Sequence, residues 1–302
     1  MIITDGLRDY IKKKEIDWIY DPFPHAIIDD FLPKKIFSEI SNISVADLDG
    51  LLVSKKNSEI ENKQEYGSAA LNGNLLLPLE LMGKDIGKSV FKDILNINKL
   101  LTMSDFEDFG GYYPFHASLN EGSLGSHVDH SSLEKNYHVA NSLFYVSKDW
   151  KEEWGGKTIL FNQNGLKPIK YIDPKPNRMV IFIHHNKSFH GVTKVTCPEN
   201  ISRNSYYMDY YLTQEDTREF QDRFYELSKT KIKYSYHPAT FIPFIPHGLK
   251  HFKIKSIVNP NNYKYIPNLI FYLIFKLPFI SSLRFRFFDE IRKLKTGHLK
   301  KK

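Results

Sequence analysis

Sulfur chemistry is nearly absent from this sequence: Cys197 is the single cysteine among 302 residues. One thiol can build neither a disulfide framework nor a zinc site made of several thiolates, and it fits a reducing compartment. Long apolar runs are also missing. No stretch reaches the ~18–20 uninterrupted apolar residues of a spanning helix, and the longest candidate, 269–275, stops at Lys276 and Pro278. The opening MIITDGLRDYIKKKEID has no apolar core of a signal peptide. The expectation is therefore neither an integral membrane protein nor a chain led by a secretion signal. Internal repeats and low-complexity segments are lacking too. Charged residues make up 25% of the chain, which is ordinary for a folded protein and excludes wholesale disorder.

What the chain has instead is apolar and aromatic material, 41% and 14% of residues, including 22 Phe and 18 Tyr. That is enough for the core of one large domain or two modest ones. The net charge of +7 is unevenly placed. Residues 250–302 carry thirteen Lys/Arg against Asp289 and Glu290, a net +11, which leaves residues 1–249 at −4. Such asymmetry points the tail toward an anionic partner, membrane surface or nucleic acid.

The first ~110 residues read as mixed. Leu7, Tyr10, Ile11 and Ile16 recur at roughly helical spacing and predict a helix from Asp5 to Ile19. PFPHAIIDDF (22–31) reads as a strand, and Pro33 opens a helix through Ile40. Ile86, Val90, Ile94 and Ile97 predict a helix over 85–97. From Tyr112 the texture becomes short apolar or alternating runs broken by Gly, Pro and Asn, the pattern of a strand-rich sandwich or barrel. Strands are expected at 137–147, 157–161, 166–172, 178–183, 190–195 and 202–212, with Pro174–Asn177 as a turn. Residues 215–229 return to helical texture. The closely spaced prolines of HPATFIPFIPHG (237–248) then forbid a continuous helix.

The sharpest constellation is His127-Val128-Asp129, with His190 following 61 positions beyond Asp129. On a strand, residues i and i+2 share a face, so His127 and Asp129 would project together; on a helix the same spacing splays them. Two neutral imidazoles and one carboxylate on one face make the facial triad of non-haem Fe(II) oxygenases, which leaves coordination positions open for a co-substrate and dioxygen. Alone, an H-x-D among 12 histidines reads as readily as a solvated loop histidine beside an acid. A second feature changes the weighing. Arg203 and Ser205 share a strand face, and a guanidinium offers a planar fork for a carboxylate; a plain strand-edge arginine is the alternative.

The order H-x-D, distal His, then R-x-S resembles the Fe(II)/2-oxoglutarate oxygenases of the prolyl-4-hydroxylase-like superfamily. PFPHAIIDDFLP (22–33), LFYVSKDWKEEWGGKTILF (143–161) and NRMVIFIHHNKSFHGVTKV (177–195) resemble the entry strand, the core strands and the segment delivering the last ligand. The resemblance spans about residues 20–212. It implies an α+β, mainly β fold: a double-stranded β-helix of the jelly-roll, cupin-like kind over about 110–212, with flanking N-terminal helices. The oxygenase domain would then be 1–213, and 214–302 a basic, aromatic-rich, helical C-terminal extension. His127, Asp129 and His190 match the iron ligands. Arg203 matches the group that binds the distal carboxylate of 2-oxoglutarate, with Ser205 beside it. Tyr145 matches a tyrosine assisting there, core packing being its alternative.

The implied reaction uses Fe(II), 2-oxoglutarate and O2, with ascorbate as a supporting reductant, and gives succinate, CO2 and a hydroxylated product. Two departures stand against a prolyl substrate: collagen-type prolyl hydroxylases usually carry lysine at the Arg203 position, and a tyrosine about ten residues before the H-x-D is replaced in the Ala117–Ser118 region. His130, His138, His184 and His185 match no family ligand and read as loop, hydrogen-bonding or substrate-side groups. Cys197 lacks a local partner for nucleophilic work, Gly155-Gly156 lacks the helix of a phosphate cradle, and Trp150 and Trp154 read as packing.

The substrate is expected to be a small molecule, with a saccharide or lipid-linked envelope precursor suggested by the tail. Its apolar clusters mixed with Lys/Arg suit an anionic membrane surface; a helical cap on the domain is the alternative, and no recognisable motif supports nucleic acid. The location implied is cytoplasmic, peripheral at the inner membrane face. A protein hydroxylase acting on Pro, Lys or Asn and a non-catalytic binding member are the rival classes.

Overall fold

A computed structural model describes residues 5–41, 48 and 62–227, apart from 72, 84, 103–104, 106–112, 130–131, 134–135, 164, 166 and 186. The tail from 228 onward, the 237–248 proline segment and His130 therefore lie outside the described residues.

The N-terminal part alternates helix and strand. Helix α1 (Asp5–Lys12) buries Leu7 and Ile11. It ends seven residues earlier than the sequence suggests, because the chain must turn to bring Ile19 into a bridge with His25. Strand β1 (His25–Ile28) is the ordered heart of the expected 22–31 strand; Pro22 and Pro24, lacking N–H donors, hold back its start. Helix α2 (Lys34–Ile40) begins behind Pro33, as expected. Strand β2 (Lys63–Tyr66) and helix α3 (Leu77–Gly83) follow, neither of which is visible in the sequence pattern, and then helix α4 (Asp85–Leu95). The buried face of α4 is Val90, Phe91 and Leu95, with Ile94 only half-buried.

The remaining strands are β3 (Leu101–Thr102), β4 (Phe115–Ser118), β5 (Leu124–His127), β6 (Ser132–Leu133), β7 (Asn136–Tyr145), β8 (Thr158–Phe161), β9 (Pro168–Ile172), β10 (Arg178–Ile183), β11 (His190–Val192) and β12 (Arg203–Thr213). Helix α5 (Gln214–Leu227) closes the described chain. The expected strand 190–195 stops at Val192, and Val195 instead bridges Gly155.

Two antiparallel sheets result. The larger runs β1-β10-β7-β12-β4-β2, with β3 on β12 and β6 on β7; the smaller runs β5-β11-β8-β9. This is the double-stranded β-helix. Strand β12 shows how alternation divides the molecule. Tyr206, Met208, Tyr210 and Leu212 pack outward into a cluster with Leu7, Ile11, Ile40, Met82, Phe91 and Phe224 from the helices. The odd-numbered residues, from Arg203 to Tyr211, face the space between the sheets. A second cluster, Phe23, Tyr145, Leu160, Ile172, Val180 and Phe182, fills one half of that space. At ~25 cal/mol per Å2 of apolar surface removed from water, such burial is the main stabilising force. The turn joining β9 to β10 is held by Asn177, at φ 61°, whose side chain accepts from the Leu32 N–H (2.9 Å) and donates to the Leu32 carbonyl (2.8 Å). Among the described residues no helix is long and apolar enough to cross a membrane.

Candidate active site

Strands β5 and β11 are neighbours in the smaller sheet, and their register sets His127 directly opposite His190. Gly191 permits this approach: a Cβ there would meet the Leu124 carbonyl oxygen at 2.6 Å. Asp129 lies two residues past the end of β5 rather than on the strand as expected, so strand alternation does not itself set its direction, yet its carboxylate still meets both rings. His127, Asp129 and His190 each offer one ligand atom, all within 4.8 Å of one another. Asp129 Oδ1 is 3.3 Å from His127 Nε2, and Oδ2 is 3.1 Å from His190 Nε2.

The hydrogen bonds behind the rings decide what this cluster wants. His127 Nδ1 is 2.8 Å from the Gly125 carbonyl, and His190 Nδ1 is 3.0 Å from the Ser188 carbonyl. A carbonyl only accepts, so each Nδ1 carries the proton and each Nε2 turns a lone pair inward. Burial would raise the Asp129 carboxyl, but His190 and His127 outweigh it and hold it well below the usual carboxylate range. Two imidazole lone pairs and a carboxylate converging this closely fit a divalent cation, and this donor set is that of non-haem Fe(II). The Asp129 side chain is 32% exposed, which leaves the centre open on one side.

Deeper between the sheets lies Arg203, 4% exposed. Its Nη1 donates to Ser118 Oγ (3.2 Å), its guanidinium lies 5.0 Å over the Tyr145 ring, and its Nε has no hydrogen-bond partner. A buried cation with donors to spare fits an anionic group. Ser205 is the register partner of both Tyr145 and His116. Tyr145 is held at 2.6 Å by Thr158 Oγ1 across the sheets, so the tyrosine is both a core residue and a lining residue. Gly156 is required here: at φ +66° it leaves room for Arg203, whose Cδ a Cβ would meet at 2.7 Å. The Gly-Gly pair therefore serves the arginine.

Three groups were beyond sequence reasoning. Ser118 and His116 project from the short strand β4, and Thr158 from β8; their partners Arg203, Tyr207 and Tyr145 are remote in sequence. Burial pulls the His116 imidazole down to about 3, so it is neutral. His184 also belongs to the site's surroundings, with Nε2 3.7 Å from Asp129 Oδ2, and burial and then His138 keep it well below its ordinary value. His185 lies against Phe23, and Cys197 is buried, its thiol pushed up by burial and donating to the Ile201 carbonyl. Trp150 and Trp154 pack edge-on against each other.

Residues 113–208 match the family model of the 2OG-Fe(II) oxygenase superfamily. The matched stretch contains His127, Asp129, His190 and Arg203. A search of curated proteins finds no relative by sequence. Among solved structures, a prolyl-4-hydroxylase from Pseudomonas putida is 13% identical, covering 69% of this chain and 97% of its own, with a TM-score of 0.44. A prolyl hydroxylase from Trichoplax adhaerens, solved with a hypoxia inducible factor oxygen degradation domain peptide fragment, is 14% identical over 65% of this chain and 86% of its own, with a TM-score of 0.42. HygX from Streptomyces hygroscopicus, solved with nickel, 2-oxoglutarate and hygromycin B, is 11% identical over 69% of this chain and 86% of its own, with a TM-score of 0.39.

Proposed function

Because the chain belongs to the 2OG-Fe(II) oxygenase superfamily through residues 113–208, we propose that its three converging groups and buried arginine serve hydroxylation of an unactivated C–H bond in a small organic substrate. The protein is an Fe(II)- and 2-oxoglutarate-dependent dioxygenase. The observation that carries the substrate-level reading is the pairing of one open centre with one buried cation: His127, Asp129 and His190 within 4.8 Å, and Arg203 held below them between the sheets.

In this reading His127, Asp129 and His190 hold the iron. The bound metal, with 2-oxoglutarate and dioxygen, supplies the oxidative decarboxylation to succinate and CO2 that drives oxygen insertion. Arg203 binds the distal carboxylate, oriented by Ser118 and by the Tyr145 ring, with Ser205 as a further hydrogen-bond donor at that end. Phe182, Leu160 and Val180 exclude water from one side of the centre, and the carbonyls of Gly125 and Ser188 keep both imidazoles in the ligating tautomer. Full-length protein supplied with Fe(II) and 2-oxoglutarate should form succinate. Incubated with envelope and metabolite fractions, it should give products one oxygen atom heavier by mass spectrometry. Absence of succinate at every iron concentration would sink the proposal.

The finer reading, a saccharide or lipid-linked envelope precursor met at the inner membrane face, draws its support from the +11 tail at 250–302 and its aromatic clusters. Co-sedimentation with anionic vesicles should be strong at low salt and fall at high salt, since screening acts over ~8–10 Å at physiological ionic strength. Salt-independent absence of binding would assign the tail to capping the domain instead.

A further inference from the structure

The inner face of β12 changes character from base to mouth. Arg203 lies at the base beside Ser118; Tyr207, Asp209 and Tyr211 follow at every second position, up to the end of the β-helix where the triad sits. At the triad's level the wall is polar on the β7–β12 side and apolar on the β10 side, where Phe182 lies 4.7 Å from the His190 ring. The polar side is built with care. Asp209 Oδ1 accepts from Asn141 Nδ2 (3.0 Å), its register partner, and Oδ2 accepts from the Tyr207 hydroxyl (2.9 Å). His138 Nε2 stands 3.1 Å from Asp209 Oδ1. The His138 ring stacks on Tyr211 at 5.1 Å and meets His184 at 4.1 Å, and His184 in turn neighbours Asp129.

This group is costly to the fold. Asp209 and His138 are each 7% exposed and Asn141 is 3% exposed, and a carboxylate taken out of water needs every partner it can find. Asn141 Oδ1 is nonetheless left without a hydrogen-bond partner. Burial would lower the His138 imidazole, but the Asp209 charge and contact outweigh it and raise it, so the pair presents an acceptor and a donor side by side. Neither Arg203's task at the base nor the triad's ligation uses any of these groups.

We propose that Asp209, His138 and Asn141 form the substrate-holding wall of the mouth, and that the substrate is polyhydroxylated, of the monosaccharide or cyclitol class. The reason is complementarity. A hydroxyl both donates and accepts, and vicinal hydroxyls repeat that pattern at the spacing of neighbouring side chains, so an Asp carboxylate, a His donor and a free amide oxygen are all answered at once. A fatty acyl chain or a proline ring would leave the Asn141 oxygen without a partner and the Asp209–His138 pair facing apolar surface, which is unfavourable for buried polar groups. This inference rests on the oxygenase reading of the triad.

The test uses the full chain with Fe(II) and 2-oxoglutarate and reads succinate in the presence of glucose, glucosamine, N-acetylglucosamine or myo-inositol, against a proline-containing peptide and octanoate. Stimulation by a member of the polyhydroxylated set is expected, and its KM should rise about tenfold or more in Asp209→Asn and in His138→Gln, while the KM for 2-oxoglutarate moves less than twofold. Circular dichroism and the thermal midpoint of both variants check folding, and Asn141→Gln, which keeps both the amide donor and the acceptor, should retain more of the effect than Asn141→Leu. Stimulation by the peptide or octanoate instead, silence of the whole polyhydroxylated set over a measurable uncoupled rate, or equal changes in both KM values would overturn the proposal. A wild-type protein that makes no succinate at all brings down the oxygenase reading, a result distinct from each of these.

Discussion

His127 and His190 face each other across one rung of the β5–β11 ladder, each with its Nδ1 tied to a carbonyl two residues earlier in its own chain segment. The shared i−2 pattern fixes both tautomers by backbone alone. No other side chain is needed to aim the two lone pairs.

The triad should therefore fail as a unit. His127→Ala, Asp129→Ala and His190→Ala are each expected to abolish 2-oxoglutarate turnover and to weaken Mn(II) binding, measured by titration, with the fold retained. Near-normal turnover in Asp129→Ala would refute the assignment.

At the base of the site, Arg203→Ala should raise the KM for 2-oxoglutarate by roughly 10- to 150-fold, the equivalent of ~1.5–3 kcal/mol for hydrogen bonds to a charged group. Gly156→Ala should act in the same direction, because its Cβ would displace the arginine at 2.7 Å and its φ of +66° is strained for alanine. Metal binding should change little in either variant. An unchanged KM in both would return Arg203 to a structural role.

Acid should destabilise the protein through His25. Burial lowers its folded-state value to about 4, so between pH 6.5 and 4 the unfolded chain binds the proton and the folded one does not. Stability is then complete above pH 6.5 and lost as pH falls toward 4, by about 2–3 kcal/mol at pH 4.5. His116 pulls the same way. Urea unfolding at pH 7 and 4.5 should show a smaller pH effect in His25→Gln than in the wild type; equal slopes would contradict this account.

Asn177→Ala removes the two-point clamp on Leu32 and places a β-carbon residue without a polar side chain at φ 61°. A loss of about 2–3 kcal/mol is expected in urea. Asn177→Gly keeps the backbone conformation and should lose less. If both cost under ~0.5 kcal/mol, the clamp contributes nothing to holding the N-terminal segment.

How much of this was legible in the sequence follows from how local each signal is. Strands β7, β8, β10 and β12 announce themselves because their residues are apolar on both faces or alternate over many positions. Strands β2 and β4, KQEY and FHAS, are too short and too polar to do so; only their neighbours in the sheet make them strands. Helix α3, with Pro78 in its first turn and Gly83 at its end, breaks no local rule, but at seven residues with nearly every side chain buried it shows no helical period; burial of Leu79, Leu81 and Met82 is a tertiary fact. The over-long first helix had the opposite cause: lysines and acids between Lys12 and Asp17 do not interrupt a helical pattern, and the need to pair Ile19 with His25 cannot be seen along the chain. The triad was readable because H-x-D keeps two of its three groups two positions apart in the chain. The roles of Ser118, Thr158 and Asp209 were not, because each depends on a partner 85, 13 or 68 positions away.

The two flanks of the eight-stranded sheet are donated by residues that precede the matched 113–208 stretch: β1 covers β10 and β2 covers β4. Cut back to that stretch, the chain would keep His127, Asp129 and His190 and yet bare two rows of unpaired N–H and C=O groups, one of them along the fully buried RMVIFI strand. Open edges of that kind recruit other chains. The N-terminal segment, which contributes no atom to the triad, thus closes both of these edges.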